Sequence, residues 1–140
     1  MDWILVIVPL VSGGLAGAAV NAIVTSRRQR LDVTLSVIKE FFTFYEDIGT
    51  VKGIFTVSDL KATLDDAANL SLLRRIGDWY HFVASLSEAR LVDDSLLRKV
   101  GVTKETGNFR DAINSAKSRC PEHLDNVWAW WPSLSNFNNR

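Results

Sequence analysis

The side chains able to do chemistry are few in this chain, and their spacing scatters them. Two histidines, His81 and His123, and one cysteine, Cys120, are its whole supply of imidazole and thiol. A single cysteine allows no intramolecular disulfide and no cysteine-based metal site. It reads as a small apolar side chain rather than a nucleophile. Any metal would have to be held mainly by carboxylates. The adjacent pairs Asp65-Asp66 and Asp93-Asp94 do not suit that task, because sequence neighbours on a helix point to different sides. They read as helix caps or solvated acids. His81 follows a polar helical stripe and reads as solvated. No HExxH, CxxC or GxSxG occurs, so the common zinc, redox and acyl-transfer motifs are missing. Ser12-Gly13-Gly14 lies inside an apolar run and does not follow a strand, so it is not a phosphate loop. No catalytic, cofactor-binding or metal-binding residue is assigned. The expectation is a protein without enzymatic activity, cofactor or small-molecule substrate.

The most unusual chemistry is aromatic. The stretch VWAWWP packs Trp128, Trp130 and Trp131 into four positions. They cannot all face inward on one helix. Three uses stay open for them: closing a core, anchoring a partner protein, or lying at a membrane surface. Formal charge balances at 16 basic against 16 acidic residues. Basic residues cluster only at Arg27, Arg28 and Arg30 and at Arg74 and Arg75, too small a footprint for a nucleic-acid binder.

Residues 3–25 carry no charge at all. A bilayer core needs about 20 such residues. Trp3 stands where an interfacial aromatic belongs, and Arg27, Arg28 and Arg30 supply the basic flank that stays cytoplasmic and contacts anionic lipid. The opening Met1-Asp2 lacks the positive start of a secretory signal, although a cleaved precursor is the competing reading. The expected arrangement is a single-pass anchor in a bacterial inner membrane, N-terminus out and C-terminal domain cytoplasmic. Residues 1–26 would be the transmembrane anchor, 27–30 the basic flank, 31–135 the helical cytoplasmic domain and 136–140 a polar tail. Within the span, Gly13, Gly17 and Asn21 share one i, i+4 row. Small residues let helices approach, and an asparagine can hydrogen-bond across the contact, so this row is the expected face for self-association or for another membrane protein.

Beyond the arginines the periodicity is helical. In LDVTLSVIKEFFTFYEDI, Leu31, Leu35, Ile38, Phe42 and Tyr45 form one apolar stripe. Val37, Phe41, Phe44 and Ile48 form the adjoining one, and together they suggest one packing face of a bundle. Gly49 reads as a stop and residues 51–57 as a loop. Ser58 or Asp59 caps the next helix, a long one with an interruption expected near Asn69. Its apolar face is Leu72, Leu73, Ile76, Trp79, Tyr80 and Val83, and Arg74 and Asp78 are spaced to pair across one turn. Asp93 or Asp94 caps a short helix ended by Gly101. A further helix, weakened by Gly107, runs toward Arg119, and Pro121 opens the last one. In that last segment Leu124, Val127, Trp128 and Trp131 share a face. The fold class expected is all-α: one transmembrane helix and a small helical bundle.

The order of these features, from SRRQR and LDVTLSVIKEFF to LLRRIGDWYHFVASLSEARLVDDSLLRKVG, resembles bacterial membrane-anchored proteins of the domain of unknown function 4760 type. The resemblance implies a helical domain on an inner-membrane anchor and assigns no activity or catalytic residue. The function expected is that of an interaction protein, an accessory subunit or scaffold of a membrane complex. A membrane-acting regulator or effector of the phage-defence or stress type is the alternative, and an unrecognised enzyme a more distant one.

Overall fold

A computed structural model describes residues 27–138. Every regular element among them is a helix: α1 Arg27–Thr43, α2 Tyr45–Phe55, α3 Leu60–Asp65, α4 Ala67–Glu88, α5 Asp94–Val100, α6 Val102–Arg119, α7 Pro121–Leu124, α8 Val127–Trp130 and α9 Pro132–Ser135. The all-helical class therefore holds. The membrane-spanning part of the expectation does not. Residues 1–26, the expected anchor, lie outside the described residues. Among those described, no helix is long and apolar enough to cross a membrane. The longest, α4, has 22 residues, but it carries a charged face of Arg74, Arg75, Asp78 and Glu88 that hydrocarbon would not tolerate. The single-pass, inner-membrane and N-out assignments are accordingly withdrawn. The basic residues Arg27, Arg28 and Arg30 form the first turn of α1.

Helix α4 is the centre of the bundle. Leu73, Ile76, Trp79, Tyr80, Val83 and Leu86 are buried along it, and it packs against α2, α3, α6 and α9. Its start is set by Asp66, whose carboxylate accepts from the Ala68 N–H at 2.9 Å. The break expected near Asn69 thus falls three residues earlier, at the cap. Asn69 instead spans the junction, its amide donating to the Thr63 carbonyl at 3.0 Å. The remaining caps follow the sequence. Asp59 accepts from the Ala62 N–H at 3.0 Å, and Asp93 from the Leu96 N–H at 3.1 Å. Gly101 ends α5 at φ +94°, a left-handed conformation that glycine adopts without strain.

Helix α2 overturns the loop expected at residues 51–57. The chain stays helical through Gly49 and Gly53 to Phe55 because Ile48, Val51 and Ile54 recur at three-residue spacing and are all buried. Burial of an apolar face outweighs the weak helix propensity of two glycines. Arg119, at the end of α6, then satisfies the orphan carbonyls there. It donates from Nη1 to the Phe55 oxygen at 2.7 Å and from Nη2 to the Val57 oxygen.

The C-terminal turns α7, α8 and α9 fold back as a hook. Leu124, Val127, Trp131 and Leu134 are fully buried, and α9 lies against α4 and α6. Pro121 and Pro132 each open a turn, where the missing N–H would have had no partner anyway.

Candidate functional site

Helix α1 is where burial departs from the expected pattern. Its apolar arc is split between the core and solvent. Val33, Thr34, Val37 and Phe41 are buried. Leu31, Leu35, Phe42 and Tyr45 are exposed, at 41%, 50%, 61% and 64%. At about 100° per residue, the centres of these two faces lie roughly 110° apart around the helix. A surface helix normally turns its apolar arc inward; here half of it faces out.

The buried face is fixed by more than packing. The Phe41 ring stacks on Trp79 with centroids 6.0 Å apart. Trp79 Nε1–H donates to Glu40 at 2.9 Å. Thr34 Oγ1 accepts from the Asp93 N–H at 2.8 Å and donates to the Arg30 carbonyl at 2.7 Å. Phe44 divides α1 from α2, yet the bonds Phe44 N–H to Glu40 and Ile48 N–H to Phe44 keep the helical phase. Tyr45 therefore continues the row begun by Leu31. Phe42 and Tyr45 each meet the edge of the buried Phe41 ring, so their orientation is tied to the core.

Two hollows are the other candidates. An open groove of about 420 Å³ lies between the end of α4, α5 and the C-terminal hook. Charged residues of both signs line it: Glu88 and Asp94, Arg90 and Arg98. Of its hydroxyl side chains, Ser87 donates to Asp94 at 2.6 Å, and no histidine lines the groove. A cleft of about 50 Å³ between α2, α4 and α6 is lined by Tyr80, Glu105, Lys52, Asn108 and apolar side chains. Lys52 pairs there with Glu105 at 2.6 Å. Burial, and then the charge of Glu105, raises the Tyr80 pKa far above its usual value. That phenol stays protonated, and the cleft has room for water-sized molecules only.

The remaining reactive groups are occupied or hidden. Cys120 is fully buried, and burial raises its pKa, which keeps the thiol from forming thiolate. His123 contacts Asp65 at 2.7 Å. That hydrogen bond, followed by the one from Lys61, holds the Asp65 carboxyl below its usual range. His81 departs from its solvated reading. It is half-buried, its Nδ1 has no hydrogen-bond partner among the described residues, and burial lowers its pKa against the opposing pull of Asp78 and Glu88. No group of three or more His, Cys, Asp or Glu side chains suited to a metal forms among the described residues.

The structure separates the three tryptophans. Trp131 is fully buried, its Nε1–H donating to Asp78 at 2.8 Å. Trp128 is half-buried and donates to Asn114 at 3.0 Å. Trp130 is 37% exposed, with the Arg74 guanidinium 4.7 Å from its ring centroid. The two aromatics thereby draw off Arg74 and Asp78, the pair expected to bridge one turn of α4. Trp131 closes the bundle, Trp128 lies half-buried at its edge, and Trp130 presents the most surface of the three. Gly13, Gly17 and Asn21 lie outside the described residues. Arg27 and Arg28 are exposed on the first turn of α1, while Arg30 is half-buried. The α1 stripe was visible in the sequence as an apolar row, but nothing in its period said that the row faces outward.

No protein family matches this chain, and neither a curated protein nor a solved structure does.

Proposed function

We propose that this chain is a helical interaction module that works through the exposed stripe of α1 and catalyses no reaction. The observation carrying the reading is the exposure of Leu31, Leu35, Phe42 and Tyr45 on a helix whose other face is locked to the core. Contiguous exposed apolar surface on a small domain marks a contact site. The exposed residues stand at i, i+4, i+11 and i+14, with half-buried Ile38 at i+7 between them, and apolar side chains on one helix face are the pattern by which helices dock on protein partners. Rigid presentation helps, since a preformed surface loses less entropy on binding. A contact role rather than a catalytic one is favoured by the buried thiol of Cys120 and the protonated phenol of Tyr80.

The test is site-specific photocrosslinking in the full chain. A crosslinking side chain at Leu35 or Phe42 should give discrete protein adducts, and one at exposed Lys104 on α6 should not. Replacing the remaining stripe residues with aspartate should abolish the adducts. Equal yields at Phe42 and Lys104 would remove α1 as the contact surface.

A further inference from the structure

We propose that the occupant of the α1 stripe is a second copy of this chain, packed antiparallel about a two-fold axis crossing α1. The proposal rests on the stripe being a contact surface and adds the identity of the partner. Leu31, Leu35, Ile38, Phe42 and Tyr45 follow one another at spacings of four, three, four and three, all exposed except the central Ile38, which is half-buried against the chain's own core. This alternation keeps a row of side chains facing a single neighbouring helix.

The two edges of that row differ. On the edge toward the body, Thr34 and Phe41 are already buried in the chain's own core. The outer edge carries Asp32, Lys39 and Glu46, one every seven residues and all exposed. None of the three makes an ion pair within the described residues. Charges a little further round the helix are committed, Asp47 to Arg75 at 2.8 Å and Glu40 to Trp79. The outer edge thus reads negative, positive, negative.

Such a sequence of signs complements itself when reversed by one heptad. An antiparallel pair sets like edges together, so Lys39 faces the partner's Asp32 or the partner's Glu46. Two-fold symmetry then makes each pair occur twice, as an isologous contact requires. A parallel pair would set this edge against Thr34 and Phe41, which offer no charge. The row spans roughly 20 Å at 1.5 Å rise per residue, short for an obligate interface, so the dimer should exchange reversibly with monomer.

Sedimentation velocity on the full chain, from low to high micromolar concentration, tests this with charge-swapped variants. Wild type should be dimeric at the upper end. Lys39→Glu alone, and Asp32→Lys with Glu46→Lys, should each raise the dissociation constant at least tenfold. Mixing those two variants should restore a dimer containing one chain of each. Exposed substitutions leave the core intact, which circular dichroism would confirm. A monomeric wild type throughout the range overturns the self-pairing. So does a dimer indifferent to Leu35→Ala with Phe42→Ala. A dimer sensitive to that apolar change but not rescued by charge mixing overturns the antiparallel arrangement. If wild type is monomeric while the Phe42 crosslinker still captures a different protein, the interaction-module reading stands and only the second copy is lost.

Discussion

At the scale of single residues, the tightest constraint lies where Trp131 meets α4. A Cβ added to Gly77 would overlap Cζ2 and Cη2 of the Trp131 ring. That ring cannot swing aside, because it is fully buried and hydrogen-bonded to Asp78. Gly77→Ala should therefore destabilise by about 2–3 kcal/mol despite the better helix propensity of alanine, through overpacking. Urea unfolding would measure it, and an unchanged midpoint would mean the indole can relocate. Arg90 shows the reverse case. It sits at φ +58° in the position after α4 that usually holds glycine. Its N–H bonds to the Ser87 carbonyl at 3.0 Å and the Leu91 N–H to that of Leu86 at 3.0 Å, the paired closure of a Schellman turn. A left-handed non-glycine residue costs about 1–2 kcal/mol, so Arg90→Gly should raise thermal stability by about 1 kcal/mol. Neither effect was legible beforehand. Gly77 reads as a weak spot in a helix until its distant neighbour is known, and nothing about Arg90 announces a positive φ.

At the scale of elements, what could be read depended on whether the signal was local. Asp59, Asp93 and Gly101 were legible because a cap bonds within three or four residues of itself. The inward row on α4 was legible because Leu73, Ile76, Trp79, Tyr80 and Val83 repeat at the helical period and are all buried, while Leu72 is half-buried at its margin. Helix α2 was misread because two glycines look like punctuation, and what overrules them is burial of Ile48, Val51 and Ile54 by partners elsewhere in the chain. The two faces of α1 were merged for the same reason: the period locates an arc, but only the neighbours decide which part of it is covered. Gly49 and Gly53 have open space where a Cβ would go and carry ordinary helical backbone. Gly49→Ala and Gly53→Ala should each stabilise by about 0.5–1 kcal/mol, the usual glycine deficit in a helix interior. Additive gains in urea midpoint would verify this; a loss at either site would mean α2 needs the slack.

At the scale of the whole molecule, stability should depend on pH through His81. Its folded pKa lies below the ordinary value of 6.5, with burial as the main cause. Between those two values the unfolded chain binds more protons than the folded one, so stability rises with pH across that window and is flat above it. Urea midpoints from pH 5 to 7.5 should climb in wild type and climb less in His81→Gln; parallel curves would show that His81 titrates alike in both states. Asp65 acts further down the scale. Its lowered pKa supports the fold above the ordinary carboxylate value of 3.8, and that support is lost as pH falls through the folded value. The hook at the C-terminal end also has a consequence in time. Helix α4 offers a bare strip at Gly77 until Trp131, more than fifty positions later in synthesis, is free to lie on it. Early helices can form as they emerge, but they cannot lock in order of appearance. The bundle should therefore close last-to-middle, and an interrupted message should yield a fluid intermediate, open to proteases, rather than a smaller version of the finished domain.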